Sequence, residues 1–201
     1  YQAFSLKTKT SGKVYAGKSL PLFTIRTKAE AKNHPFIVVF EPYSGENDYV
    51  VDRISVEKRS DTDIFTALTV FCSNGSKQQI YQSVDAEKKF NCGDGVFSGY
   101  YGVANFKNEK LSSLYLGKGT EITISGYSLK SKTADGSANM SISGKNLKIS
   151  CNQETELSLP TSPKKVTLKQ GNIQKELKIS KSGKGISFMV PALDSAEIIV
   201  E

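Results

Sequence analysis

The chain has 201 residues, 38% of them apolar and 9% aromatic, with no tryptophan, a single histidine and a formal charge of +7. That length can bury a substantial core without help from metals or disulfides, and it predicts one large domain or one domain with a small appendage. A histidine-built metal site or a Ser/His/Asp arrangement would rest on one residue, and no apolar run approaches a membrane span.

Residues Ala3–Lys9 and Leu22–Thr27 read as strands joined through Thr10-Ser11-Gly12-Lys13, with Phe4 and Leu6 alternating with polar residues. Lys28–Lys32 has helix-forming composition but is too short to stand as a helix, so a loop or single turn is expected. Phe36-Ile37-Val38-Val39-Phe40 follows, an unbroken apolar run that suits a strand buried on both faces. Pro35 and Pro42 bracket it, as befits residues that cannot donate to a central ladder. The turn Ser44–Asp48 leads into Tyr49–Lys58, where Val50, Ile54 and Val56 share a face that Asp52 interrupts.

Ser60–Asp63 turns the chain into Ile64–Cys72, and Asn74-Gly75 is a hairpin signal before Gln78–Ser83. A further hairpin is expected at Asp85-Ala86-Glu87, with Lys88–Cys92 returning, and Gly93-Asp94-Gly95 precedes the strand Val96–Phe106. Within that strand Gly99-Tyr100-Tyr101-Gly102 allows a bulge or close backbone approach. A turn over Asn105–Lys110 precedes Leu111–Leu116, and Gly117-Lys118-Gly119 reads as a turn into Glu121–Ser125. Short strands continue at Ala138–Ser143, Leu147–Cys151 and Glu156–Leu159.

Pro160-Thr161-Ser162-Pro163 is the expected seam, dividing a main sandwich of residues 1–159 from C-terminal strands of residues 160–201. These strands are Lys164–Lys169, Gln174–Ile179, Ile186–Val190 and Glu197–Val200, packed on the sandwich or forming a small subdomain. Strand and turn signals this regular predict an all-β fold, a large antiparallel sandwich with a short-stranded C-terminal extension. The chain opens in mid-pattern at Tyr1–Leu6, which predicts a C-terminal piece of a larger protein.

Chemistry is sparse. Cys72, Cys92 and Cys151 are widely spaced and form no CxxC or Cys/His ligand pattern, so no zinc site is expected. Cys72 is expected as a buried thiol; one disulfide among the three is open, with partners undefined. No metal and no cofactor are called for. The lysines are scattered, densest over Lys164–Lys184, and serve either solubility and edge protection or an anion-binding face. The glycine pairs open no helix and so make no phosphate cradle, and an RNA-recognition motif lacks its helices here. No nucleic-acid partner is expected.

His34, before a proline at a strand entry, is a loop residue or a proton-transfer group. Glu41 follows five apolar residues and needs a cation or backbone donors if buried; Arg26 and Arg53 are the available cations. Tyr43, Tyr49, Tyr100, Tyr101, Tyr115 and Tyr127 either pack in the core or stack on sugar rings. The candidate substrate-binding set is His34, Glu41, Tyr43, Tyr100 and Tyr101, with no catalytic residue assigned.

Residues Arg26–Tyr43 (RTKAEAKNHPFIVVFEPY) resemble a strand pair in the C-terminal β-region of heparinase II/III-like polysaccharide lyases. Gly102–Ile122 resembles a later segment of that family, and Gly185–Glu201 the closing strands of many bacterial carbohydrate-active enzymes. The resemblance implies a parent with an N-terminal α/α toroid that cleaves acidic polysaccharides by β-elimination, exported to the periplasm or beyond the cell. It implies that catalytic tyrosine and histidine lie in the toroid, so this chain alone is not expected to be a lyase. Its expected partners are an acidic polysaccharide and that toroid. The alternative is a stand-alone carbohydrate-binding or adhesive β-module.

Overall fold

In a computed structural model, the residues described are 2–9, 19–26, 50–59, 64–183 and 185–201. The expected strand Phe36–Phe40, the turns at residues 28–32, 44–48 and 60–63, and His34, Glu41 and Tyr43 lie outside the described residues. The chain divides into two compact units, Tyr1–Val39 and Phe40–Glu201. In the first, β1 (Gln2–Lys9) and β2 (Ser19–Arg26) pair antiparallel, in register from Gln2↔Arg26 to Lys9↔Ser19.

The second unit is all β among the described residues, and its strands join one antiparallel sheet. In chain order they are β3 (Val51–Arg59), β4 (Phe65–Cys72), β5 (Ser76–Ser83), β6 (Phe90–Cys92), β7 (Gly95–Lys107) and β8 (Lys110–Ile124). There follow β9 (Tyr127–Ser131), β10 (Ala138–Ser143), β11 (Asn146–Cys151), β12 (Thr155–Leu159) and β13 (Val166–Gln170). The last are β14 (Ile173–Glu176), β15 (Ser180–Ser182), β16 (Gly185–Val190) and β17 (Leu193–Val200).

The main branch of the sheet runs β14-β13-β17-β11-β10-β8-β7-β5-β4-β3. A second branch leaves the far half of β8 and runs β9-β12-β16-β15, while β6 lies on β7. Alternation along the strands decides which face is inside. Ala104, Leu114, Met140, Ile149 and Ile198 of the main branch share one buried cluster with Ile122, Leu129, Leu157 and Phe188 of the second. The sheet thus folds over its own core in a sandwich-like arrangement, open at its ends. Strands on both sides of Pro160 take part in each branch, as β11 pairs β17 and β12 pairs β16.

The fold-over happens inside β7 and β8. Both are long, 13 and 15 residues, and their two halves bond to different neighbours: Ser113–Leu116 to β10, Glu121–Ile124 to β9. The break comes where the register slips between Ser98 and Gly99, with Gly99 opposite Gly119 and Ser98 opposite Glu121, leaving Thr120 as the extra residue. Lys118 takes a φ of 47° beside it. A Cβ on Gly119 would lie 2.3 Å from Ser98 O and 2.5 Å from Gly99 Cα, so the two backbones meet at a distance only glycine allows. Gly117-Lys118-Gly119 is therefore not the turn its composition predicts but the crease of a continuous strand. The turn expected over Asn105–Lys110 is present, at Asn108 and Glu109, with φ of 51° and 60°, the left-handed pair that suits a two-residue hairpin.

Other expectations are corrected locally. Phe90–Cys92 does not return along β5; it pairs with β7, Phe90 opposite Phe97, because β5 already has β4 and β7 on its two edges. Phe90 is thereby brought flat against Phe65, with ring centroids 4.2 Å apart. None of the three cysteines is in a disulfide, and Cys72 is half-buried while Cys151 is the buried one. Burial pushes the Cys151 thiol up, and its S–H donates to Pro191 O at 3.2 Å. Strands β9 and β15 are additional to the expected ones.

The crease can be tested directly. Gly119→Ala forces backbone atoms apart and should cost about 1–3 kcal/mol in urea unfolding, the range for overpacking. Gly144→Ala, with φ of 62° but nothing within 4 Å of the added carbon, should cost about 1 kcal/mol.

Candidate functional site

The main branch turns one face to its core and the other to solvent. On β7 the outward positions are Tyr101, Val103 and Asn105, alternating with buried Gly102, Ala104 and Phe106. On β8 they are Ser113, Tyr115 and Gly117, alternating with buried Leu114 and Leu116. The register sets Tyr101 opposite Gly117, Val103 opposite Tyr115 and Asn105 opposite Ser113.

The two tyrosines of this face meet because Gly117 has no side chain. A Cβ there would lie 2.9 Å from Tyr115 Cε1 and 3.0 Å from its hydroxyl, so the Tyr115 ring lies over Gly117. It thereby reaches Tyr101, with ring centroids 6.2 Å apart at an interplanar angle of 61°, an edge-to-face pair. Tyr101 remains 43% and Tyr115 36% exposed, and neighbouring Tyr100 is 48% exposed. Beside Tyr115 is a depression of about 210 Å³ whose polar lining includes Asn139, Ser150, Asn152 and Asp194. Asn105 Nδ2 donates to Ser113 Oγ at 2.7 Å, fixing the adjacent polar pair.

Of the candidate residues, Tyr100 and Tyr101 stand exposed at the crease; His34, Glu41 and Tyr43 lie outside the described residues. Tyr115 is one of nine tyrosines in the sequence, and one of the six that could stack on sugar rings. Its pairing depends on the β7–β8 register and on Gly117, and a Tyr-x-Gly spacing is the only local trace of it.

Proton-transfer chemistry finds no support at the buried phenol. Tyr81 lines a depression of about 290 Å³ with Thr69, Gln79, Glu57 and Asp94. Its hydroxyl donates to Gln79 Oε1 at 3.1 Å. Burial first, then the negative charges of Cys92, Asp94 and Glu57, push its pKa up, whereas a phenol that takes a proton in an elimination needs it pushed down. Among the described residues no group of three His, Cys, Asp or Glu side chains is placed to hold a metal, and no helix is long and apolar enough to cross a membrane.

The outward face of the second branch is held by ions. Glu121 is 8% exposed; Lys89 Nζ donates to its Oε2 at 2.6 Å and Lys130 Nζ lies 3.3 Å from Oε1. Thr123 Oγ1 donates to the same carboxylate at 3.2 Å. Burial alone would raise the carboxyl pKa, but the Lys89 hydrogen bond and the two lysine charges outweigh it and hold it below the usual value.

Residues 54–154 match the family described as the endo-acting ulvan lyase C-terminal domain. The chain belongs to that family, and it is a C-terminal domain of the polysaccharide-lyase class. An endo-acting ulvan lyase of Formosa agariphila is 29% identical over 142 residues, an alignment covering 66% of this chain and 16% of that protein. The chain thus spans about a sixth of the length of that relative.

The depressed Glu121 carboxyl contributes stability that is present above the unfolded pKa and lost as pH falls through the folded one. Melting temperature should therefore fall on acidification below about pH 4. Glu121→Gln should flatten that fall and cost about 1–2 kcal/mol near neutrality, a discounted figure because both lysines are largely exposed.

Proposed function

We propose that the chain is the non-catalytic C-terminal region of a bacterial polysaccharide lyase acting in the periplasm or outside the cell. It supports a heparinase II/III-like catalytic toroid elsewhere in the parent and contributes to binding an acidic polysaccharide. The observation that carries the binding role is the exposed Tyr101–Tyr115 pair on a broad, polar sheet face. Tyrosine rings offer flat apolar surface with a hydroxyl at the rim, which suits the faces and edges of sugar rings. The charge of +7 favours an acidic polymer over a neutral one. Family membership supports the placement beside a lyase domain, and the name of the Formosa relative makes ulvan the first polymer to try.

Affinity electrophoresis of this chain through ulvan-containing gels tests the role. Retardation is expected, with Tyr101→Ala/Tyr115→Ala weakening binding by about tenfold, as truncating an aromatic anchor does. Unhindered migration of the unsubstituted chain would refute the binding role, and release of unsaturated uronate by the isolated chain would refute the non-catalytic one.

A further inference from the structure

Beside the tyrosine pair, the sheet register assembles a longer feature. Gln78 on β5 lies opposite Asn105 on β7, which lies opposite Ser113 on β8 and then Ser141 on β10. Ser141 is opposite Lys148 on β11, Lys148 opposite Glu197 on β17, and Glu197 opposite Lys169 on β13. The neighbours Ala104, Leu114, Met140, Ile149, Ile198 and Leu168 all point into the core, so the row itself faces out. It is a line of hydrogen-bonding side chains, neutral at one end and charged at the other, that crosses the strands.

The charged end is a distinct place. Lys148, Lys169 and Glu197, with the Gln170-Gly171 turn and Ser195, line one depression of about 340 Å³. Glu197 is engaged from its side by Asn146, whose Nδ2 donates to Oε1 at 2.9 Å. Two lysines against one carboxylate leave the depression cationic. Tyr115 stands two residues along β8 from Ser113, in the neutral half of the row, and the depression beside it holds Asp194, which disfavours an acid there.

We infer that an acidic glycan crosses the strands along this row. A ring stripped of charge rests on Tyr115 and Tyr101, and an acidic substituent, carboxylate or sulfate, sits at the Lys148–Lys169 depression. The inference rests on the polysaccharide-binding role proposed above and adds the path, the polarity and the minimum length of the ligand. From β8 to β13 there are four strand spacings, or about 19 Å, so only an oligosaccharide long enough to span that distance engages both ends. The hydroxyls of Ser113 and Ser141, between the tyrosines and the lysines, take the glycan's own hydroxyls, and the two lysines make the contact sensitive to salt.

The test is a calorimetric titration of this chain with the polymer used above, cut to graded lengths. Affinity should rise with length until the span is covered and then level off. Lys148→Ala/Lys169→Ala should weaken only the longer pieces, by about fivefold at low salt, and flatten their salt dependence. Tyr115→Ala should weaken every length, and Lys181→Ala, on β15 of the other branch, should change nothing. Both lysines sit on the surface of formed strands, so the lysine variant carries the test even where a tyrosine variant folds poorly. Lysine variants that bind long pieces like the original chain, or affinity already complete with a disaccharide, would overturn the path while leaving the binding role intact. Failure to bind at any length would remove both.

Discussion

The arrangement depends on two backbones passing almost in contact where β7 crosses β8. A sheet that must double back over its own core needs one place to bend sharply without losing its ladder. A bulge supplies the bend, but it also drives the paired strands together. Gly99 and Gly119 remove the two Cβ atoms that would collide, and Gly102 leaves room for the Phe97 ring, which would otherwise lie 2.7 Å from an added carbon. Phe97 is fully buried there and stacks on Tyr81 at 5.5 Å. The aromatic core and the glycine crease are thus one device, filling the inside of the bend and thinning its backbone.

The same crease shapes the outer surface. Tyr100 and Tyr101 are exposed because the glycines on either side of them take the inward positions. Gly117 lets Tyr115 lie down toward Tyr101 in place of standing clear of the sheet. Glycines that the crease requires of the backbone therefore also shape the exposed aromatic pair on the outside. The two faces divide the labour of charge as well. Glu121 gathers two lysines into a fixed cluster on the second branch. On the main branch Lys148 and Lys169 lie opposite Glu197 in the ladders, two cations to one carboxylate.

Much of the fold was legible because strand signals are local. The Asn74-Gly75 hairpin appears with Gly75 at a φ of 77°, and the long runs Ile64–Cys72 and Val96–Phe106 are strands nearly as expected. Pairing was less legible, because it is decided elsewhere in the chain. Gly-x-Gly serves a turn and a crease equally well, so residues 117–119 were misplaced by composition alone. Tyr127–Ser131 is only five residues long with one large buried side chain, Leu129, so its alternation is too short to stand out. The candidate site was partly legible. Tyr100 and Tyr101 stand out as a pair between glycines, but Tyr115, Lys148 and Lys169 are brought into relation only by the register of several ladders.

Strand β14 has a consequence of a different kind. It closes one end of the main branch, and all four of its residues, Ile173, Gln174, Lys175 and Glu176, are exposed. Among the described residues no strand pairs with its outer side, and a border of this sort is a template on which a second molecule could continue the ladder, and so on without limit. Four residues are too few to seat a foreign strand firmly, and the charged groups of Lys175 and Glu176 would have to shed water to accept one. A protein at high concentration meets its own copies often. Keeping that border short and hydrated lets copies of this domain crowd together without stitching themselves into a fibre.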